Sequence, residues 1–209
     1  MKRGAFSAAV GYNGTDERKD VPRMKKKITL AVMLLCVTVM MSGCWMAGYT
    51  NKGADNVRSA SKFMDTFSGK TISGKKVDSS IFKGHKLTML YFWGTYDSAG
   101  IRQFDTIEDI SKEYEDDMQV IGVIANVREK NKGVVEKKLA RAENSLDEHN
   151  VTYMNIIPSQ KMVSKMQKAL EVIPVTIFVD SNGRQVGRDQ AGVKERKVWD
   201  QTITEYLNK

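Results

Sequence analysis

Leu87-Thr88-Met89-Leu90-Tyr91-Phe92-Trp93-Gly94-Thr95-Tyr96-Asp97-Ser98-Ala99-Gly100-Ile101-Arg102 is the stretch whose reading decides the fold. Leu87 to Trp93 is an unbroken apolar and β-prone run, which suits a central strand covered on both faces. A tight turn follows, and Asp97 or Ser98 offers a short side-chain oxygen to an otherwise orphaned backbone N–H, as a helix cap does. Ile101, Phe104, Ile107, Ile110 and Tyr114 then recur by threes and a four, which predicts a helix over about 99–114. Residues 118–125, Met-Gln-Val-Ile-Gly-Val-Ile-Ala, form a second apolar strand. Two buried strands joined by a helix of this length make a β-α-β unit, hence parallel neighbours in one sheet.

Downstream, a second helix is expected over 130–149, with Val135, Leu139, Ala142 and Leu146 inward and a mixed-charge face in solvent. A short strand over 151–157 leads to a third helix over 159–170. Its Met162, Met166 and Leu170 row reads as core packing, with no Cys or His near enough for a metal site. Ile173-Pro174-Val175-Thr176-Ile177-Phe178-Val179-Asp180 is a strand opened by a proline, and Ser181-Asn182-Gly183-Arg184 turns it into a partner over 185–190. A last helix over 194–207 puts Trp199, Ile203 and Leu207 inward. Upstream, Phe63 to Phe82 reads as a hairpin with turns at Gly69-Lys70 and Gly74-Lys75-Lys76. The order is that of an α/β domain with a central mixed sheet between helices and an N-terminal β-hairpin.

The chain has 209 residues and a net charge of +8, but residues 1–44 carry eight Lys/Arg against three Asp/Glu. The remaining 25 basic and 22 acidic residues nearly balance. No basic stripe is interleaved with aromatics, so nucleic acid is not an expected partner. The only cysteines are Cys36 and Cys44. Met24-Lys25-Lys26-Lys27 opens a basic segment, and Ile28 to Met41 is an uncharged run of signal-peptide length, shorter than the roughly 20 residues that span a bilayer. Met41-Ser42-Gly43-Cys44 resembles a bacterial lipobox, in which the cysteine is lipidated and becomes the new N-terminus. The expectation is therefore a lipoprotein signal over 24–43, a lipidated flexible tether over 44–61, and one domain over 62–209. The alternative is an uncleaved membrane helix running through Trp45 to Tyr49, which Ser42, Gly43 and Gly48 weaken. Residues 1–23 are polar, fit no fold, and are read as an extension before a true start at Met24. With Cys36 removed and the Cys44 sulfur in a thioether, the mature chain would hold no free thiol and carry out no thiol-disulfide exchange.

Phe92-Trp93-Gly94-Thr95-Tyr96, followed by Asp97-Ser98-Ala99-Gly100, resembles the active-site segment of thioredoxin-like proteins of the TlpA/ResA and AhpC/TSA branch, usually written F-W-A-T-W-C-x-x-C. Ile81-Phe82-Lys83-Gly84-His85-Lys86 resembles the "F-K-G-K" that leads into the core strand there, and Ile173-Pro174-Val175-Thr176-Ile177 resembles the I/V-P-T-x-F/I segment. The resemblance covers about 63–209. It implies a thioredoxin-like three-layer sandwich, a cis proline at Pro174 facing the turn, and thiol-disulfide oxidoreductase ancestry. Both cysteine positions, Asp97 and Gly100, are empty of thiols.

A helix N-terminus that favours a thiolate favours a carboxylate too, so Asp97 is expected as a structural cap rather than a catalyst. Gly100 removes the resolving thiol. His85 and His149 are expected at the surface, outside any catalytic pattern. No phosphate loop, cofactor motif or zinc-ligand spacing is present. What remains is a groove between the 96–100 turn and the Pro174 loop, lined by Trp93, Tyr96, Asp97, Ser98, Ile173 and Pro174, whose backbone groups can pair with an extended peptide. The leading reading is a membrane-anchored, cysteine-less thioredoxin-like lipoprotein that binds a protein or peptide partner in an envelope redox context. The alternatives are an active oxidoreductase that borrows a partner's thiol, and a purely structural domain.

Overall fold

The computed structural model describes residues 62–129, 133–170 and 172–209. The segments expected as signal and tether, Cys36, the expected lipidation site Cys44 and residues 1–23 all lie outside the described residues. The elements are β1 (Ser68–Thr71), β2 (Lys76–Asp78), β3 (Leu87–Trp93), a single helical turn α1 (Ser98–Ile101), α2 (Phe104–Glu113), β4 (Met118–Ile124), β5 (Arg128–Glu129), β6 (Gly133–Val134), α3 (Glu136–Glu148), β7 (Met154–Pro158), α4 (Gln160–Ala169), β8 (Val175–Asp180), β9 (Gln185–Ala191) and α5 (Arg196–Leu207).

Seven strands form one sheet in the order β2-β1-β7-β4-β3-β8-β9. β3 is central, parallel to β4 from Leu87↔Met118 to Trp93↔Ile124 and antiparallel to β8. All seven of its residues are buried, as the apolar run requires. The period-2 alternation divides them between two cores. Leu87, Met89, Tyr91 and Trp93 meet α2, α3 and α5 through Phe104, Ile107, Ala142, Leu146, Trp199 and Ile203. Leu90 and Phe92 meet Phe63, Phe82 and α4 through Met162, Val163 and Met166. The arrangement is a helix-sheet-helix sandwich of thioredoxin-like fold.

Connection order explains the layering. β3 to β4 and β4 to β7 both step the same way along the sheet, so right-handed crossovers put α2 and α3 on one face. β8 lies back across two strands from β7, and α4 makes that return over the other face. The methionine row at 162 and 166 is core packing, as the sequence suggested.

Three sequence expectations are corrected. The helix expected over 99–114 is broken into α1 and α2, because the Gln103 N–H bonds back to the Gly100 carbonyl (3.0 Å) and the Gln103 side chain turns away to another loop. The helix expected from residue 130 begins at Glu136, since Arg128↔Val134 and Glu129↔Gly133 pair as a small hairpin and the Val135 N–H bonds to the Val127 carbonyl (2.8 Å). The N-terminal hairpin forms, but Gly69-Lys70, expected as a turn, lie inside β1, where they pair with β2 on one side and β7 on the other and so extend the main sheet by two strands.

The face of α2 toward the core also carries a carboxylate that periodicity did not single out. Glu108 is 5% exposed and accepts from the Thr152 N–H (2.8 Å), the Thr152 hydroxyl (2.5 Å) and the Tyr153 N–H (3.4 Å), with Lys112 Nζ at 3.0 Å. Burial pushes its pKa up, but the hydrogen bonds from Thr152, Lys112 and Tyr153 outweigh it, and the net shift is downward. A carboxyl lowered on folding stabilises above its unfolded pKa and loses that contribution as pH falls through the folded value. Glu108→Gln is therefore expected to cost about 1–3 kcal/mol at neutral pH. The gap between wild type and variant, read as urea midpoints, is expected to shrink as pH is lowered below the ordinary value of 4.5. An equal gap at pH 7 and at pH 3.5 would contradict this.

Candidate functional site

The turn after β3 is held from four directions, each by a polar side chain satisfying a buried group. Gly94 opens the turn, and a Cβ there would lie 2.8 Å from Ile173 Cδ1 and 3.5 Å from the Asn126 amide, so a larger residue would have to displace the Ile173 side chain. Thr95 is 2% exposed, its N–H donating to Asn126 Oδ1 (3.1 Å) while its hydroxyl accepts from Asn126 Nδ2 (3.2 Å). Asn126 follows directly on β4, whose in-register pairing with β3 continues through the Ala125 N–H to the Trp93 carbonyl (2.8 Å). Trp93 donates its indole N–H to Asn155 Oδ1 (3.0 Å), and the Asn155 amide donates to the Tyr153 carbonyl (3.1 Å). From beneath, the Tyr91 hydroxyl donates to the Gly100 carbonyl (2.8 Å).

Gln103, in the break between α1 and α2, makes the fourth clamp. Its amide donates to the Lys194 carbonyl (3.0 Å), and its Oε1 accepts from the Lys194 N–H (3.0 Å) and the Trp199 indole (3.2 Å). Two residues upstream, the Gly192 N–H bonds to the Pro174 carbonyl (2.8 Å). The Ile173-Pro174 bond is cis, as the resemblance implied. The turn and the proline loop are thus tied together through Gln103 and the 192–194 segment on one side and through the Gly94–Ile173 approach on the other.

Asp97 caps the helical turn, its Oδ1 accepting from the Gly100 N–H (3.1 Å). Ser98, the other capping candidate, is exposed as the first residue of α1. The second carboxylate oxygen of Asp97 is buried with no hydrogen-bond partner among the described residues. It occupies the space a side chain at position 100 would need, because a Cβ on Gly100 would fall 2.4 Å from it and 3.2 Å from the Tyr91 hydroxyl. Burial, reinforced by the Asp97 charge, pushes the Tyr91 pKa up, so its hydroxyl stays a donor across the whole working range of pH.

Of the six residues expected to line the groove, Tyr96 (58% exposed), Ser98 and Ile173 (39%) stand at its surface, with Asp97 half-buried. Pro174 is buried behind Ile173. Trp93 is corrected: it is fully buried, its indole packed edge-on against Phe104 at 4.7 Å between centroids, and it cannot touch a partner. The reason is strand register, since position 93 faces the α2 core. Both histidines are half-buried rather than at the surface, His149 with Nδ1 2.9 Å from Asp105 Oδ1. Val172 and Val193 add exposed apolar surface beside Ile173 and Lys194. Sequence reasoning missed Asn126, Asn155 and Gln103, which carry no motif. Polar side chains adjoining apolar strands were the one available signal.

No protein-family model matches the sequence, and no curated protein matches it. Among solved structures, a thiol:disulfide interchange protein of the thioredoxin family from Chlorobium tepidum superposes with a TM-score of 0.55 at 18% identity, over 68% of this chain and 92% of that one. A secreted Mycobacterium tuberculosis disulfide oxidoreductase, homologous to E. coli DsbE, gives 0.53 at 12% identity, over 68% and 97%. The pneumococcal exposed lipoprotein thioredoxin Etrx1 from Streptococcus pneumoniae gives 0.52 at 25% identity, over 66% and 98%. The chain shares the fold of these thioredoxin-family proteins.

Proposed function

We propose that this thioredoxin-like domain has given up thiol chemistry and presents the groove between Tyr96 and Ile173 to an extended segment of a protein partner. It is tethered through a lipid on Cys44 to the outer face of the cytoplasmic membrane. The observation that carries the reading is the Asp97–Gly100 pair. A capping carboxylate fills the place where a thiolate and its resolving partner would stand, and the chain has no cysteine besides Cys36 and Cys44. Exchange needs a thiolate nucleophile, and no side chain at the turn supplies one. The walls survive: the cis proline, the backbone beside it, and the exposed Tyr96, Val172 and Ile173 are what a peptide needs for main-chain pairing with apolar side-chain contact. The secreted and lipoprotein neighbours support an extracytoplasmic setting.

The test is an insulin-reduction assay on the full chain with a dithiol reductant. The native protein is expected to match the no-protein control, and the double variant Asp97→Cys/Gly100→Cys to turn over measurably. Reduction by the native chain would overturn the loss of thiol chemistry in favour of an oxidoreductase working with a partner's thiol.

A further inference from the structure

We propose, resting on the groove reading above, that the segment it takes carries an acidic side chain beside an apolar one, the carboxylate pairing with Arg141. The Arg141 guanidinium lies 4.4 Å from the centroid of the Tyr96 ring, and both side chains are exposed. A guanidinium held over an aromatic face keeps N–H donors free in the fork geometry that matches a carboxylate. No acidic residue among the described residues takes up those donors. Lys138, on the same helix, is held by Glu129 at 2.8 Å, Arg196 by Asp200 at 2.7 Å, and Lys165 by Asp65 at 2.6 Å. Arg141 has no such ion pair among the described residues. Nor has Lys137, exposed one helical turn away on the same face of α3.

The neighbouring acid does not cancel this charge, because the Asp97 carboxylate is turned inward, one oxygen on the Gly100 N–H and the other buried. The surface next to Tyr96 is therefore cationic, while Val172 and Ile173 on the proline loop offer exposed apolar side chains. Gly94 touches Ile173, and Tyr96 follows two residues later. A basic segment would meet two uncompensated cations at the same place, so the complementary partner is acidic and apolar.

A displayed random heptapeptide library panned on the immobilised full chain tests this. Binders lost on Ile173→Asp are groove binders, and these are expected to be enriched in Asp or Glu next to an aliphatic residue. Replacing the acid by its amide in a recovered peptide is expected to weaken binding about tenfold. Arg141→Gln is expected to weaken the acidic peptide by a similar factor and to abolish its advantage over the amide, with the thermal midpoint of the exposed-site variant unchanged as the control for folding. Groove binders with no acidic preference and no response to Arg141→Gln would overturn this proposal and leave the groove reading standing. Recovery of no Ile173-sensitive peptide would overturn both.

Discussion

Gly122→Ala is expected to lower the unfolding free energy of the domain by about 3 kcal/mol, from overpacking together with a buried donor left unpaired. Gly122 lies in β4 beside β7, opposite Asn155, and a Cβ there would come 1.9 Å from Asn155 Oδ1 and 2.6 Å from its Cγ. The Asn155 amide cannot move away freely, because Oδ1 holds the Trp93 indole and Nδ2 holds the Tyr153 carbonyl. Trp93 is fully buried and has no water to turn to. The added methyl therefore costs more than its own volume, since it detaches a tryptophan at the end of the central strand. Urea unfolding followed by tryptophan fluorescence measures the effect. In an Asn155→Ala background the same Gly122→Ala change is expected to be nearly neutral, because the obstructing amide is gone. A loss of similar size in both backgrounds would place the cause in the β4 backbone and refute the account.

The second large effect is a coupling at the turn. Gly100→Ala in the native chain is expected to destabilise by about 1–2 kcal/mol, the scale of a lost cap and local overpacking, because the new Cβ evicts the Asp97 carboxylate from its bond to the Gly100 N–H. With Asp97→Ala already present, the same change is expected to be neutral or to stabilise by up to about 0.5–1 kcal/mol, since alanine is a better helix residue than glycine and only the Tyr91 hydroxyl, 3.2 Å from the new Cβ, must give way. Loss of the destabilisation in the Asp97→Ala background, read from urea midpoints, supports the steric account. Equal effects in both backgrounds would eliminate it. The same geometry says that a single Gly100→Cys meets the carboxylate head-on, so thiol chemistry can be restored to this turn only by changing both positions together.

The strands and the two landmark loops were legible because each rests on a local signal. The Leu87–Trp93 run is apolar throughout, and Ile173-Pro174 carries a family pattern that its cis bond fulfils. The break between α1 and α2 was not legible. Ile101, Phe104 and Ile107 keep helical spacing across it, and its cause is the attachment of Gln103 to Lys194 and Trp199, more than ninety positions away. Trp93 misled for the opposite reason. Its neighbour Tyr96 is exposed, and only strand register, fixed by pairing with β4 and β8, assigns position 93 to the α2 core. The short hairpin before α3 falls where composition reads as amphipathic helix, and pairing decided it. Asn126 and Asn155 could not be chosen from among the chain's asparagines, because their importance comes from what lies across the strand.

The two margins of the sheet bear on partner choice. On one side the margin is β2, only three residues long. On the other, pairing of β9 to β8 slips between Thr176 and Phe178, and the Tyr206 hydroxyl leans against Gly187 and takes the Arg188 N–H at 3.4 Å. A foreign strand seeking a ladder finds too few rungs on the first margin and an occupied donor on the second. A short margin on one side and an irregular one on the other both work against edge-to-edge polymerisation, and they make the rim of the sheet a poorer ladder for an extended polypeptide than a long, regular edge strand would be.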